Sequence, residues 1–317
     1  MATQPQRPTA VSVAGLRKAY ADKVVLVGVD LQIAAGEVFA LLGPNGAGKT
    51  TAVRILSTLL RADAGSATVC GYDLDREPHK VRSVIGVTGQ FSAVDPLLSG
   101  EENLALMGRL HHLSGTDRRA RTIELLERFD LVEASRQVAG TYSGGMRRRL
   151  DLAMTLMGRP QMVFLDEPTT GLDPRGRQTV WQQIRDLAAG GITILLTTQY
   201  LEEADRLADR VAVLDGGRIV AEGTPGQLKS RLPGAHVRLR FAHRSSLDAA
   251  ARALPASRPD EEGLVLRVPH PGGVRPLREM LARLGDDIQV EDLFIHTPDL
   301  DDVFFALTAN PSRGQIR

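Results

Sequence analysis

Between residues 11 and 33 apolar side chains recur at every second position, first Val11 and Val13, then Val29, Leu31 and Ile33. Successive side chains of an extended backbone point to opposite faces, so this spacing predicts two half-buried strands. Val38-Phe39-Ala40-Leu41-Leu42 is apolar without a break and predicts a strand covered on both faces. A small antiparallel sheet leading into that buried strand is expected. The period then lengthens, with Val53, Leu56 and Leu60 on one face of a helix. Ala67-Thr68-Val69-Cys70 and Val84-Ile85-Gly86-Val87 predict two more strands. From Glu101 to about Ala139 the chain is charged, and Leu125, Leu126 and Phe129 mark one apolar face, the pattern of a helical insertion outside the sheet. Met146, Leu150, Ala153, Met154 and Met157 stripe a further helix. A buried strand, Met162-Val163-Phe164-Leu165, a helix over about 175–188 and a strand, Ile192-Thr193-Ile194-Leu195-Leu196, follow. Strands alternating with helices predict an α/β fold.

After Gly223-Thr224-Pro225 and a short helix through Leu228, Leu232-Pro233-Gly234 predicts a boundary. Beyond it strands are expected at 236–241, 264–268 and 288–295, and helices at 247–254, 274–284 and 298–309. Thr297 before Pro298 suits the start of the last helix, whose apolar stripe is Leu300, Val303, Phe304 and Leu307. This is a small α/β appendage. Its histidines, His236, His243, His270 and His296, are scattered and predict no catalytic or metal-binding set.

Composition changes this picture little. The chain has 317 residues, long enough for one large domain and a smaller one. A net charge of +1 gives no argument for a nucleic-acid partner. No apolar run approaches the ~20 residues that cross a bilayer. Residues 1–8 lack an apolar export segment, so a short disordered lead on a cytoplasmic protein is expected. Cys70, the one cysteine, excludes an internal disulfide and is expected as a small core residue. Lysine occurs only at positions 18, 23, 49, 80 and 229, which makes an incidental Lys49 in the motif below less plausible.

Gly43-Pro44-Asn45-Gly46-Ala47-Gly48-Lys49-Thr50-Thr51 satisfies G-x-x-x-x-G-K-[ST] at every position and follows the buried 38–42 run. The glycines let successive N–H groups turn toward one anion, and the helix starting near Lys49 adds its positive end. Lys49 can reach the β- and γ-phosphates, and Thr50 offers a hydroxyl to Mg²⁺. This predicts a nucleoside triphosphate site. Further polar residues end the predicted strands, where open α/β sheets bind ligands: Gln90, then Asp166 and Glu167, then Thr197-Thr198-Gln199. Of the two carboxylates, one suits Mg²⁺ and the other a water. Ser143 is a good N-cap, and Gly144 and Gly145 leave N–H groups uncovered, which makes that helix start a second anion site. Tyr20 is expected in the loop between the first strands, where its ring either stacks on a purine or packs on its own sheet.

In their order along residues 10–230, the phosphate loop, Gln90, Ser143-Gly144-Gly145, Asp166-Glu167 and Gly171-Leu172-Asp173 resemble the nucleotide-binding subunit of an ATP-binding-cassette (ABC) transporter. The resemblance implies a parallel-sheet core, an N-terminal antiparallel β subdomain and a helical subdomain at about 101–158. Its domain limits are a lead at 1–9, an ATP-binding domain at 10–231, an accessory α/β domain at 232–309 and a disordered tail at 310–317. It also implies ATP and Mg²⁺. Tyr20 would stack on adenine, the loop from Gly43 through Pro44, Asn45, Gly46, Ala47, Gly48, Lys49 and Thr50 to Thr51 would hold phosphates, and Thr50, Gln90 and Asp166 would bind the metal. Glu167 would polarise the attacking water, with Lys49 and Gln199 at the γ-phosphate. Ser143, Gly144 and Gly145 would contact ATP held by a second copy of the chain, and Asp173 belongs to the same nucleotide-binding set.

Three positions depart from the family pattern. Tyr142 and Met146 flank the Ser-Gly-Gly signature in place of leucine and glutamine. Gln199 stands where a histidine is usual; an amide donates to phosphate but carries no charge, so slower turnover is expected. Residues 197–205 and 86–95 are similar to the daunorubicin-resistance type of drug-export subunit. That similarity implies export of a hydrophobic drug or antibiotic through a separate integral-membrane permease, at the cytoplasmic face of the membrane and with no nucleic acid. A soluble cassette ATPase acting on nucleic acid or ribosomes is one alternative, and a weakly hydrolysing regulatory module is another. The lack of a second cassette weighs against the first, and Glu167 against the second.

Overall fold

The computed structural model describes residues 7–89, 92–230, 236–260, 264–270, 274–285, 288–296 and 299–308. The 232–234 break, Thr297, Pro298 and the expected tail lie outside the described residues, as does Gln90. The described chain divides at Pro225 and Gly226 into two compact units.

Strands β1 (Thr9–Tyr20) and β2 (Lys23–Ala34) form the expected hairpin, and β3 (Val38–Leu42) follows it. Helix α1 is Lys49–Leu56, and β4 (Ala64–Val69) and β5 (Tyr72–Asp73) complete an antiparallel sheet in the order β2-β1-β4-β5. Order begins earlier than the expected lead allows: Thr9 pairs with Ala34, and Ala35 N–H donates to the Pro8 carbonyl at 2.7 Å. Cys70 is a correction. It sits half-buried in the β4–β5 turn with φ 49°, packed beside the core and not within it.

Helix α2 (Pro78–Val84), which the apolar pattern did not suggest, takes Val84 out of the expected strand and leaves β6 as Ile85–Thr88. Helices α3 (Gly100–Leu110) and α4 (Gly115–Arg128) make the expected insertion. Ser99 and Glu102 cap α3 reciprocally, each side chain accepting the other's backbone N–H, and Ser114 caps α4. Helix α5 (Gly144–Thr155) packs against both.

Strand β7 (Met162–Asp166), helix α6 (Pro174–Ala189) and strand β8 (Thr193–Thr198) fall where the pattern puts them. Helix α7 (Leu201–Leu207), β9 (Arg210–Asp215) and β10 (Arg218–Gly223) were not anticipated. The main sheet runs β10-β9-β3-β8-β7-β6, parallel throughout except for β10 on its edge. Every residue of β3, β7 and β8 is buried, because both faces of the sheet are covered. One core joins the two sheets, with Val11, Leu16 and Ile33 packed among Phe39, Leu56, Phe164 and Leu195. Each such side chain contributes about 1.5–3 kcal/mol on burial. The register sets Leu42 beside Thr198 and Asp166 beside Thr197. The C-terminal ends of β3, β7 and β8 therefore lie in one line, the edge where such sheets bind ligands.

The second unit holds β11 (His236–Arg240), α9 (Arg244–Ala253), β12 (Arg258–Asp260), β13 (Val265–Pro269), α10 (Val274–Leu284), β14 (Asp292–His296) and α11 (Leu300–Thr308). A short helix, α8 (Pro225–Lys229), straddles its start. The sheet is antiparallel in the order β12-β13-β11-β14, and its core includes Val237, Leu239, Phe241, Leu247, Leu266 and Leu284. Strand β14 is shorter than the expected 288–295, and β12 was not expected. Pro259 fits there because β12 is an edge strand. Among the described residues no helix is long and apolar enough to cross a membrane.

Candidate functional site

Leaving β3, the chain turns so tightly that a Cβ on Gly43 would stand 2.3 Å from the Leu214 carbonyl oxygen. Gly48, at φ 109°, would set a Cβ 2.8 Å from Leu26 and 3.0 Å from the Val25 carbonyl oxygen. Only glycine meets both demands. Within the described residues nothing accepts a hydrogen bond from the N–H of Asn45, Gly46 or Gly48. The first N–H groups of α1 have no partner within the helix either. A row of free donors at a helix start is an anion cradle. Pro44 is half-buried, Ala47 is buried beneath the loop, and Thr51 is half-buried in the first turn of α1.

Lys49 lies inside this cradle, 5% exposed, and donates from Nζ to the Gly43 carbonyl at 2.6 Å and the Pro44 carbonyl at 3.1 Å. Burial pulls its pKa below the usual 10.5, and Glu167 and Asp166 pull it back up. Nζ and Glu167 Oε1 are 4.0 Å apart. Asp166, the last residue of β7, is 3% exposed; its Oδ1 accepts from Thr50 Oγ1 at 3.2 Å and from Thr197 Oγ1. Glu167 follows with φ 50°, a left-handed conformation held by its N–H donating to the Thr197 carbonyl at 3.1 Å. Thr170 Oγ1 donates to Glu167 Oε2 at 3.2 Å. Lys49, Thr50, Asp166 and Glu167, drawn from two stretches more than a hundred residues apart, thus form one cluster.

Ser143 caps α5, its hydroxyl accepting from Met146 N–H at 3.2 Å, and Ser143 and Gly144 are exposed. Asp173 caps α6 in the same manner, accepting from Gly176 N–H at 2.7 Å. Both caps, with Gly145, line a single cleft. Tyr142 is buried and donates to the Ala134 carbonyl at 2.6 Å, so this departure from the family pattern pins the helical subdomain. Gln199 is half-buried just beyond β8, and its amide has no hydrogen-bond partner among the described residues. Tyr20 needs correction: it is the final residue of β1, paired with Lys23, not a loop residue. The turn is only Ala21-Asp22, with Ala21 at φ 48°. The Tyr20 ring is 44% exposed with Lys18 Nζ 5.8 Å from its centre. Gln90 lies outside the described residues, so its place relative to Thr50 and Asp166 is not part of this geometry.

Of the two threonines that bond to the carboxylates, Thr170 was not named from sequence, and Thr197 was named only within the polar end of its strand, with no role of its own. Their one signal is position: Thr197 is the first polar residue in the run 194–197 of β8, and Thr170 lies between Glu167 and Asp173.

The ABC transporter family model matches residues 26–170. The daunorubicin resistance ATP-binding protein DrrA3 of Streptomyces coeruleorubidus is 50% identical over 308 residues, covering 96% of this chain and 98% of that protein. The daunorubicin/doxorubicin resistance ATP-binding protein DrrA of Streptomyces peucetius is 48% identical over 98% of this chain and 96% of its own. A solved ATP-binding subunit of an ABC transporter superposes with a TM-score of 0.63 at 29% identity, over 70% of this chain and 93% of that one. A dimeric ATP-binding cassette bound to ADP and Pi in a post-hydrolysis state gives 0.62 at 26% identity, over 68% and 98%. Cassettes of this kind form dimers. The chain belongs to the ABC transporter family, among its ATP-binding, ATP-hydrolysing subunits.

Proposed function

We propose that this chain hydrolyses ATP to drive export of a hydrophobic drug or antibiotic through a separate integral-membrane permease, working as a pair of copies on the cytoplasmic face of the membrane. The observation that carries this reading is the cluster of Lys49, Thr50, Asp166 and Glu167 beside free loop amides. The drug class rests on the near full-length similarity to daunorubicin-resistance proteins.

In this reading the amides of Asn45, Gly46 and Gly48 and the Lys49 side chain bind the phosphates, and Lys49 exchanges its bonds to the Gly43 and Pro44 carbonyls for phosphate oxygens. Tyr20 lies against adenine. Thr50 Oγ1 and Asp166 Oδ1 are hard oxygen donors next to the cradle and fit Mg²⁺, with Gln90 as a third ligand. No set of three His, Cys, Asp or Glu surrounds a metal position among the described residues, which fits an ion held largely by phosphates and water. Mg²⁺ would neutralise developing phosphate charge. Glu167 polarises the attacking water from its left-handed turn, and Gln199 donates to the γ-phosphate. Ser143, Gly144 and Gly145, with Asp173 beside them, complete the site of the other copy.

The test is ATP hydrolysis by the purified chain, alone and in membranes with a permease encoded beside it, with Lys49→Ala and Glu167→Gln as controls. Low activity alone, a rise with the permease and loss in both variants support the motor. Turnover indifferent to the permease and to Glu167 overturns it in favour of a regulatory ATP-binding module, the reading that Gln199 favours.

A further inference from the structure

The turn after β7 is gripped by side chains from two helices, one of them held in turn by a third. Arg148 of α5 donates from Nε to the Pro168 carbonyl at 2.7 Å and from Nη1 to the Gly89 carbonyl at 3.4 Å and Asp151 Oδ2 at 3.2 Å. Thr169, 1% exposed, donates to Glu203 Oε1 of α7 at 2.9 Å. Trp181 of α6 donates its indole N–H to the same oxygen at 3.0 Å. Glu203 is wholly buried, and burial pushes its carboxyl pKa up against the pull of these donors and of the Arg148 charge.

Helices α5, α6 and α7 are also those that open at the proposed nucleotide contacts: α5 at Ser143 and α6 at Asp173, which serve the other copy's ATP, and α7 just after Gln199, which serves the chain's own. Within one to about two turns of each opening, one side chain reaches back to Pro168-Thr169 or to Glu203. Such a buried, multiply bonded arrangement is what holds a non-glycine residue such as Glu167 at φ 50°. A carboxylate that polarises water acts only within a narrow range of positions.

We propose that Arg148 and Glu203 are positioning residues for hydrolysis: by fixing Pro168 and Thr169 they set the backbone from which Glu167 acts, and they tie that backbone to the signature helix and to the segment after Gln199. This rests on the reading of Glu167 given above. Neither side chain belongs to the phosphate loop, so ATP binding does not depend on them and the hydrolytic step does.

The experiment compares Thr169→Val, Thr169→Ser and Arg148→Lys in the full chain, measuring kcat for ATP and the affinity of a fluorescent ATP analogue. Thr169→Val removes only the bond to Glu203 at nearly constant volume. It is expected to lower kcat by about ten- to a hundredfold with affinity within about twofold, and Thr169→Ser to restore most of the rate. Arg148→Lys, which cannot reproduce the guanidinium fork, is expected to follow Thr169→Val. Wild-type kcat in Thr169→Val and Arg148→Lys, with a dead Glu167→Gln, overturns the proposal alone. So does a loss of affinity in step with kcat. An active Glu167→Gln overturns the proposal and the reading beneath it together.

Discussion

Thr50 Oγ1 donates to Asp166 Oδ1 at 3.2 Å, joining the first turn of α1 to the tip of β7 across 116 residues of sequence. Both oxygens are therefore held at the cradle before any nucleotide arrives. Thr50→Val removes the hydroxyl at constant shape and is expected to cut Mg²⁺-dependent hydrolysis by about a hundredfold or more, while Thr50→Ser stays within about threefold of wild type. Hydrolysis titrated against Mg²⁺ checks this; a Thr50→Val chain with normal Mg²⁺ response refutes it.

Two glycine substitutions should separate folding from function. Gly48→Ala places a Cβ at φ 109° within 3.0 Å of the Val25 carbonyl oxygen and should destabilise the chain by about 1–3 kcal/mol and abolish nucleotide binding. Gly144→Ala meets nothing closer than Leu172 at 3.8 Å and lies in the first turn of α5, so thermal stability should hold or rise by a few tenths of a kcal/mol. If Gly144 serves the other copy's ATP, hydrolysis falls all the same. Melting curves and ATPase rates on one preparation decide it.

Lys49 gives two opposite pH trends. Its pKa is lowered by burial in the ATP-free chain, while phosphate contact needs the protonated amine. ATP affinity should therefore weaken with rising pH already below the ordinary lysine value of 10.5. Over the same window the unfolded chain holds more protons than the folded one, so Lys49 makes the ATP-free fold more stable as pH rises. Lys49→Met should remove both trends, measured by nucleotide titration and by denaturant unfolding.

Gln199→His introduces a side chain that can carry charge near neutral pH, next to the proposed γ-phosphate position. Turnover is expected to rise severalfold below about pH 6.5 and to approach wild type above it. A pH profile of kcat without that acid-side gain counts against a role for this position.

What was legible in the sequence followed from how each strand is covered. Strands β3 and β7 are buried on both faces, so they appear as unbroken apolar runs, each ending in the residues that carry chemistry. Strand β12 has no apolar residue to report it, and β10 is a half-exposed edge strand. The Ala21-Asp22 turn lacks the glycine or asparagine that usually announces a tight hairpin, which left Tyr20 assigned to a loop. The site residues themselves sit in motifs with fixed spacing. Their supports do not: Arg148, Thr169, Trp181 and Glu203 meet only through tertiary packing, and no period of the chain foretells it.

The contrast between a buried Lys49 and an exposed Ser143 bears on inheritance as well as on chemistry. If each active site draws its phosphate loop and Glu167 from one copy and Ser143 from the other, a damaged Ser143 silences its neighbour and spares the copy that carries it. Two mutant chains, one without Ser143 and one without Glu167, are each inert as pure pairs. Mixed together, they recover one working site in every hybrid.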